Sequence, residues 1–275
     1  MIYTKVYAEG LHKLEAKQIE NAKIDARLLL EFVCHTNRND LLAHGDREVT
    51  ETEYEAYQQA VAKRERHIPL QHIIGTQGFM GLEFKVNKHV LIPRQDTECL
   101  VEEAMLQVHD GMHILDMCTG SGCILLSLLK YTNDCIGVGV DISEEALEVA
   151  RENADKLGLE ATFIKSNLFD EVNGTFDIFV SNPPYIQTEV IKSLMPEVKE
   201  HEPMLALDGM EDGLYFYRKI MTECKEYLKG GAYALFEIGY DQGESVQQLM
   251  EQNGFKEVRV IKDLAGLNRV VLGHL

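Results

Sequence analysis

From residue 112 to its end the chain alternates short apolar runs with helix-patterned stretches, and no other feature restricts its fold as much. His113-Ile114-Leu115-Asp116 reads as a strand and Gly122 to Lys130 as a helix. Ile136 to Val140 is a second strand, ending at Asp141, and Ser143-Glu144-Glu145 caps and charges a helix running to Leu157. Thr162-Phe163-Ile164 and Asp177-Ile178-Phe179-Val180 are further strands. A helix near 213–228 precedes a strand from Ala232 to Glu237, a helix near 243–252 follows, and two strands near 257–261 and 268–272 close the series. Strands separated by helices pair in parallel, with helices covering both faces of the sheet. The expected class is α/β, a doubly wound Rossmann-like sheet.

The first 67 residues carry a different pattern. Helices are expected over Glu9 to Ala22 and Ile24 to His35, with a short piece from Asp40 to Ala43. Thr50-Glu51-Thr52-Glu53 is a capping-box pattern opening a helix to Arg66, with Tyr54, Tyr57 and Val61 on one face. Pro69 interrupts the series. Leu70 to Ile74, Phe79, Leu82 to Val86 and Val90 to Ile92, punctuated by Gly75, Gly78 and Gly81, suggest hairpin strands. Pro93-Arg94-Gln95-Asp96-Thr97-Glu98 then starts a helix to Val108. The expected organisation is a small helical bundle over 1–68, a β-hairpin linker over 69–93 and the α/β domain over 94–275.

Length and charge narrow the function classes. A chain of 275 residues, 45% hydrophobic and 26% charged, can bury one large core and one small one. No apolar stretch approaches the length that crosses a bilayer, and Met1 to Val6 is no secretory segment, so a cytoplasmic, non-membrane protein is expected. Cysteines stand at 34, 99, 118, 123, 135 and 224 without a Cys-x-x-Cys or zinc-type spacing, so reduced thiols and no metal are expected. The net charge of −18 disfavours gripping nucleic acid by its phosphates and suits a small molecule or a basic protein partner. The basic stretch Lys63 to His67 reads as the solvated end of a helix.

Chemistry concentrates where strands meet helices. Cys118-Thr119-Gly120-Ser121-Gly122 follows the first strand of the alternating region, where glycines allow close backbone approach and a helix N-terminus offers free N–H groups. The dinucleotide fingerprint lacks its third glycine here, and Asp116 before the turn would repel a pyrophosphate. Both points favour S-adenosylmethionine, which carries cationic groups and no phosphate. Asp141, nineteen residues after Gly122, can accept from both ribose hydroxyls, although a helix-preceding aspartate also occurs without a ligand. Asn167 could bond the adenine amino group and Leu168 cover the ring; the same pair could equally cap a loop.

Asn182-Pro183-Pro184-Tyr185 ends the run Phe176 to Ser181. Two prolines stop the ladder and stiffen what surrounds them. The Asn182 amide oxygen and the Pro183 carbonyl can accept both hydrogens of a planar N–H2 group, and the Tyr185 ring can lie against a flat substrate. The tetrapeptide can also be a plain Pro-Pro turn. Read as a clamp, it orients a poorly nucleophilic amide nitrogen toward a methyl on sulfonium. Such positioning can supply roughly 7–11 kcal/mol of barrier reduction. No nucleophile or general base is identifiable, which leaves catalysis to positioning and electrostatics.

These motifs, together with Pro69 to Gly75, Ile92 to Glu98, Ala206-Leu207-Asp208-Gly209, Asp212-Gly213-Leu214, Glu237-Ile238-Gly239 and Asp263-Leu264-Ala265-Gly266, resemble the release-factor glutamine N5-methyltransferases, the HemK-type family. The resemblance runs from the first helices to the last strand. It implies a seven-stranded methyltransferase sheet with its last strand antiparallel, S-adenosylmethionine as donor and S-adenosylhomocysteine as product. The implied acceptor is the glutamine amide of the Gly-Gly-Gln motif in class 1 peptide chain release factors, with the helical domain docking that protein and a monomeric enzyme acting on it. Asn182 to Tyr185 would hold the glutamine, the 118–122 turn and Asp141 the donor, and Arg94 and Thr97 would line the mouth. Cys118 stands where the family usually has glycine, and Asn167 and Asn268 where aspartate is commoner.

Three rivals remain at this point. A DNA or RNA adenine N6-methyltransferase shares Asn-Pro-Pro-Tyr, but the −18 charge opposes it. A nicotinamide dehydrogenase lacks its third glycine here. A non-catalytic binding protein would bind donor without transferring the methyl.

Overall fold

The computed structural model describes residues 1–275. They form two compact units: Met1–Gly75 with Met195–His201, and Thr76–Leu194 with Glu202–Leu275. No helix is long and apolar enough to cross a membrane.

The first unit is helical, with helices Tyr3–Ala16, Ala22–Val33, Arg38–Ala43, Glu51–Arg64, Leu70–Ile74 and Pro196–His201. The first helix starts at Tyr3 rather than Glu9 because Tyr3, Val6, Gly10 and Leu14 make one buried stripe at helical spacing. Gly10 permits the closest contact: a Cβ there would fall 2.0 Å from Tyr57 Oη. That hydroxyl donates to the Ala26 carbonyl at 3.1 Å, tying three helices together. The Thr50–Glu53 capping box forms as read. Leu70 to Ile74 is not a strand. Leu70, Ile73 and Ile74 have helical spacing, the Pro69 carbonyl accepts from His72 and Ile73, and Gly75 ends the turn at φ +87°. Arg64 is not solvated either; it is buried between Asp25 (2.7 Å) and Glu197 (2.9 Å).

In the second unit, β1 (Thr76–Phe79) and β2 (Leu82–Lys85) form an antiparallel hairpin. Its two-residue turn, Met80-Gly81, has positive φ at both positions. Phe79 and Phe84 meet edge-to-face at 6.0 Å and join the core of this unit. Val90 to Ile92 is irregular rather than a strand, with Val90 and Ile92 buried as side chains off a turn at Asn87.

The main sheet contains β3 (His113–Met117), β4 (Ile136–Asp141), β5 (Thr162–Lys165), β6 (Phe176–Ser181), β7 (Leu228–Glu237), β8 (Lys256–Lys262) and β9 (Asn268–His274). Their order is β5-β4-β3-β6-β7-β9-β8, with β9 antiparallel to both neighbours and the other pairings parallel. Successive residues of β6 feed opposite cores: Ile178 and Val180 pack with Leu100, Val101 and Ile124, while Phe179 packs with Tyr217, Ile220 and Phe236. The chain leaves β3 for β4 on one side and returns as β6 on the other. The crevice outside the carboxyl ends of β3 and β6 is therefore the topological switch point, where ligands of such sheets bind.

Candidate active site

Met117 and Ser181 are partners in the parallel register, and Ser181 Oγ donates to the Met117 carbonyl at 2.7 Å. The glycine turn and the Asn-Pro-Pro-Tyr segment thus start side by side. Cys118, Gly120 and Gly122 all have left-handed φ, at +64°, +55° and +78°. The turn is fixed from below. Thr119 N–H donates to the Val140 carbonyl at 2.9 Å, and its hydroxyl donates to Asp116 at 2.6 Å. Asn153 donates to the Ser121 carbonyl at 2.9 Å. Asp116 is fully buried and does not border the crevice, so it screens no ligand; burial pushes its carboxyl up to about 7.

Asp141 ends β4 with its carboxylate clamped, Oδ2 accepting from Gly120 N–H at 2.9 Å and Oδ1 from Ser143 N–H at 3.0 Å. Burial raises its pKa, and those backbone donors oppose the rise. Each oxygen keeps a lone pair for another donor. The Asp141 carbonyl accepts from Ser166 N–H at 3.0 Å, which brings Asn167 and Leu168 to the same edge; Leu168 takes a left-handed φ of +53°.

These groups border a cavity of about 320 Å³. Cys118, Thr119, Gly120, Ser121, Asp141, Asn167 and Leu168 line it, together with Asn182, Pro184, Arg94 and Thr97. Gly122, Pro183 and Tyr185 do not line it. Gly122 sits beneath the turn, where a Cβ would come within 3.2 Å of Ala150 and Leu126. The Tyr185 ring packs against the core instead of facing a ligand, because its hydroxyl finds a buried acceptor, Glu237 Oε1, at 3.2 Å. Its carbonyl is held by Gln242 Nε2 at 3.0 Å. Arg94 reaches both oxygens of Glu202 at 2.7 Å, and Asn182 Nδ2 lies 3.4 Å from the Thr97 hydroxyl. The apolar wall of Val90, Leu91, Ile142, Leu205 and Phe216 was not anticipated; Val90-Leu91, apolar and just ahead of Pro93, carried the one usable signal.

The donor set tests which ligand fits. The charged lining groups are Arg94, Asp141 and Glu145, and Arg94 is already paired. Two carboxylates beside one already-paired cation disfavour a pyrophosphate, whereas the Asp141 carboxylate, the open backbone at Gly120 and the apolar side chains suit a cationic nucleoside. Burial pushes the Cys118 thiol far up and that of Cys123 to about 12, so neither is a thiolate nucleophile. No group of three or more His, Cys, Asp or Glu side chains is arranged to hold a metal ion.

Known proteins share these features. Residues 5–75 match the family described as PrmC N-terminal domain, and 95–201 match the methyltransferase small domain. A release factor glutamine methyltransferase of Caulobacter vibrioides is 41% identical over 98% of this chain and 95% of its own. One of Geobacter sulfurreducens is 40% identical over 95% and 93%. Among solved structures, a methyltransferase from Pyrococcus furiosus shares the fold with a TM-score of 0.54 at 18% identity, covering 79% of this chain and 94% of that one. Near-full-length identity at this level, on a sheet whose switch-point cleft joins a glycine turn to Asn-Pro-Pro-Tyr, leaves one assignment: the chain belongs to the release factor glutamine methyltransferase family.

Proposed function

We propose that this protein methylates the side-chain amide nitrogen of the glutamine in the Gly-Gly-Gln motif of class 1 peptide chain release factors, converting S-adenosylmethionine to S-adenosylhomocysteine. The observation that carries this is the register of β3 and β6, which sets Asn182 beside the 118–122 turn in one cleft.

When bound, the donor supplies an electrophilic methyl on sulfonium; the remaining work falls to this chain's own groups. Asp141 accepts from the ribose hydroxyls, and Thr119, Gly120 and Ser121 border the methionine part. Asn167 and Leu168 take the adenine side. Asn182 Oδ1 accepts an amide hydrogen of the glutamine, fixing its nitrogen and stabilising positive charge as it develops there, and one N–H proton leaves to water as the N–CH3 bond forms; Pro183, outside the cavity lining, stiffens the backbone that carries Asn182. Pro184 and Thr97 shape the acceptor side, and Arg94, fixed by Glu202, borders the entrance. Tyr185 contributes by bracing the clamp from behind through Glu237. The helical unit takes the docking role, and the enzyme works as a monomer without metal or direct nucleic-acid contact.

Labelled donor incubated with purified release factor should place one methyl on that glutamine. A release factor carrying alanine there should take up none. Label on a nucleic acid instead, or on another residue, would overturn the reading.

A further inference from the structure

We propose that Gln242 is a positioning residue for methyl transfer: it pins the far end of the Asn182–Tyr185 segment and thereby sets where the Asn182 side chain stands in the cleft. This rests on the acceptor reading given above.

The segment runs between two anchors. At its start, Ser181 closes β6 and donates to the Met117 carbonyl at 2.7 Å. Pro183 and Pro184 follow Asn182 and have no N–H, so neither can tie itself to a neighbour as a backbone donor. Their fixed φ makes the stretch a stiff strut. A stiff strut swings as one piece, so the direction in which Asn182 leaves the sheet depends on what grips the strut at Tyr185.

Gln242 supplies that grip. It stands immediately before the helix Gly243–Gln252 and is 8% exposed. Its Nε2 donates to the Tyr185 carbonyl at 3.0 Å and to the Gly213 carbonyl at 3.2 Å, while its Oε1 accepts from Gly239 N–H at 2.9 Å. Both amide hydrogens are thus used. Carbonyls only accept and a backbone N–H only donates, so the two ends of this carboxamide cannot exchange places. Ile186 extends the grip by one residue: its N–H donates to the Leu207 carbonyl at 3.0 Å, and its carbonyl accepts from Gly209 N–H at 2.8 Å. The backbones lie so close that a Cβ on Gly209 would fall 2.7 Å from the Tyr185 carbonyl carbon, and one on Gly213 2.4 Å from its oxygen. The motifs at 206–209, 212–214 and 237–239, far apart in sequence, therefore converge on the backbone of Tyr185 and Ile186 and hold the strut in one direction.

Gln242→Met keeps the length of the side chain and removes all three hydrogen bonds. It should lower kcat for release-factor methylation roughly ten- to a hundredfold, the scale of a misplacement of about 1 Å. KM for the donor should stay within about threefold of wild type. Rates are taken per intact site, counted by the stoichiometry of S-adenosylhomocysteine binding in calorimetry, so that unfolded protein does not register as slow enzyme. Because Gln242 acts through Asn182, adding Gln242→Met to Asn182→Ala should slow that variant by no more than about threefold. Crystal structures of wild type and Gln242→Met should differ by about 0.5 Å or more at Asn182 Oδ1, beyond the tolerance of a productive geometry. A rate per intact site within about threefold of wild type, a full further loss in the double variant, or an Asn182 that stays in place would overturn the proposal. If wild-type protein fails to methylate the release factor, the acceptor reading fails, and the crystallographic comparison alone decides the grip: a displaced Asn182 supports it and an unmoved one overturns it. Should Gln242→Met not fold, Gly209→Ala decides by the same measurements, since its Cβ pushes the Tyr185 backbone aside without deleting a hydrogen bond.

Discussion

Asn182 is half-buried and makes one long polar contact, so it contributes little to stability while standing at the cleft. Asn182→Ala should therefore reduce methyl transfer by roughly two orders of magnitude or more while thermal unfolding shifts by only about 2 °C. Rate assays beside a melting curve check both halves. Asp141 is the complementary case, an acceptor for the donor. Asp141→Asn replaces one accepting oxygen with N–H groups and should weaken donor binding roughly 10–100-fold by calorimetry. Both residues were legible in the sequence because each ends a strand pattern, where the chain must turn and a short polar side chain has a local reason to stand. Glu202 was not, and Glu237 stood out only as part of the Glu237-Ile238-Gly239 motif, with no role attached to it. Their partners lie far off in sequence, Arg94 being 108 residues from Glu202 and Tyr185 being 52 from Glu237, and no local pattern reports such a pairing. The inward turn of the Tyr185 ring was hidden for the same reason.

The strand-to-helix turn is where an element's geometry can be weighed against its composition. Cys118 holds a left-handed φ of +64°, a conformation costing a side-chain-bearing residue roughly 1–2 kcal/mol. Cys118→Gly removes that strain but loses thiol packing against the core and adds unfolded-chain entropy worth roughly 0.5–1 kcal/mol. The terms nearly cancel, so stability should change by less than about 1 kcal/mol in a urea titration. The departure from a family glycine is thereby tolerated. In the helical unit, Thr50→Ala opens the capping box and should cost about 1 kcal/mol, seen as earlier unfolding of that unit. Capping and period-2 patterns were readable locally. Leu70 to Ile74 was misread because five apolar-rich residues fit either period, and the Pro69 carbonyl and Gly75 settle it only in three dimensions.

Across the whole molecule, buried carboxyls set the pH response. Burial raises the pKa of Asp25, Asp116, Asp141, Glu202 and Glu237, and Asp116 reaches about 7 from an ordinary 3.8. Between those two values the folded chain holds protons that the unfolded chain has released, so stability falls as pH rises through that window. Hydrogen-bonded carboxylates such as Asp212 and Asp263 are depressed instead, and their contribution is lost only as pH falls below the ordinary range. The urea midpoint should therefore decline from pH 5 to pH 8, and Asp116→Asn should flatten that decline. A net charge of −18, growing more negative over the same interval, acts in the same direction. The class of fold and the cleft's position followed from strand-helix alternation, because the switch point is a property of connectivity. That Met195–His201 belongs with the first helices did not, since nothing in that short segment signals a distant partner.

On the function proposed above, one cleft brings a glutamine amide to Asn182 beside the 118–122 turn. A crystal structure with S-adenosylhomocysteine and a glutamine-bearing Gly-Gly-Gln peptide tests it most directly. The glutamine amide nitrogen should lie about 3 Å from Asn182 Oδ1, with the product's thioether on its other side against residues 118–122. A glutamine bound elsewhere, or a product lying away from Asp141 and that turn, would contradict it.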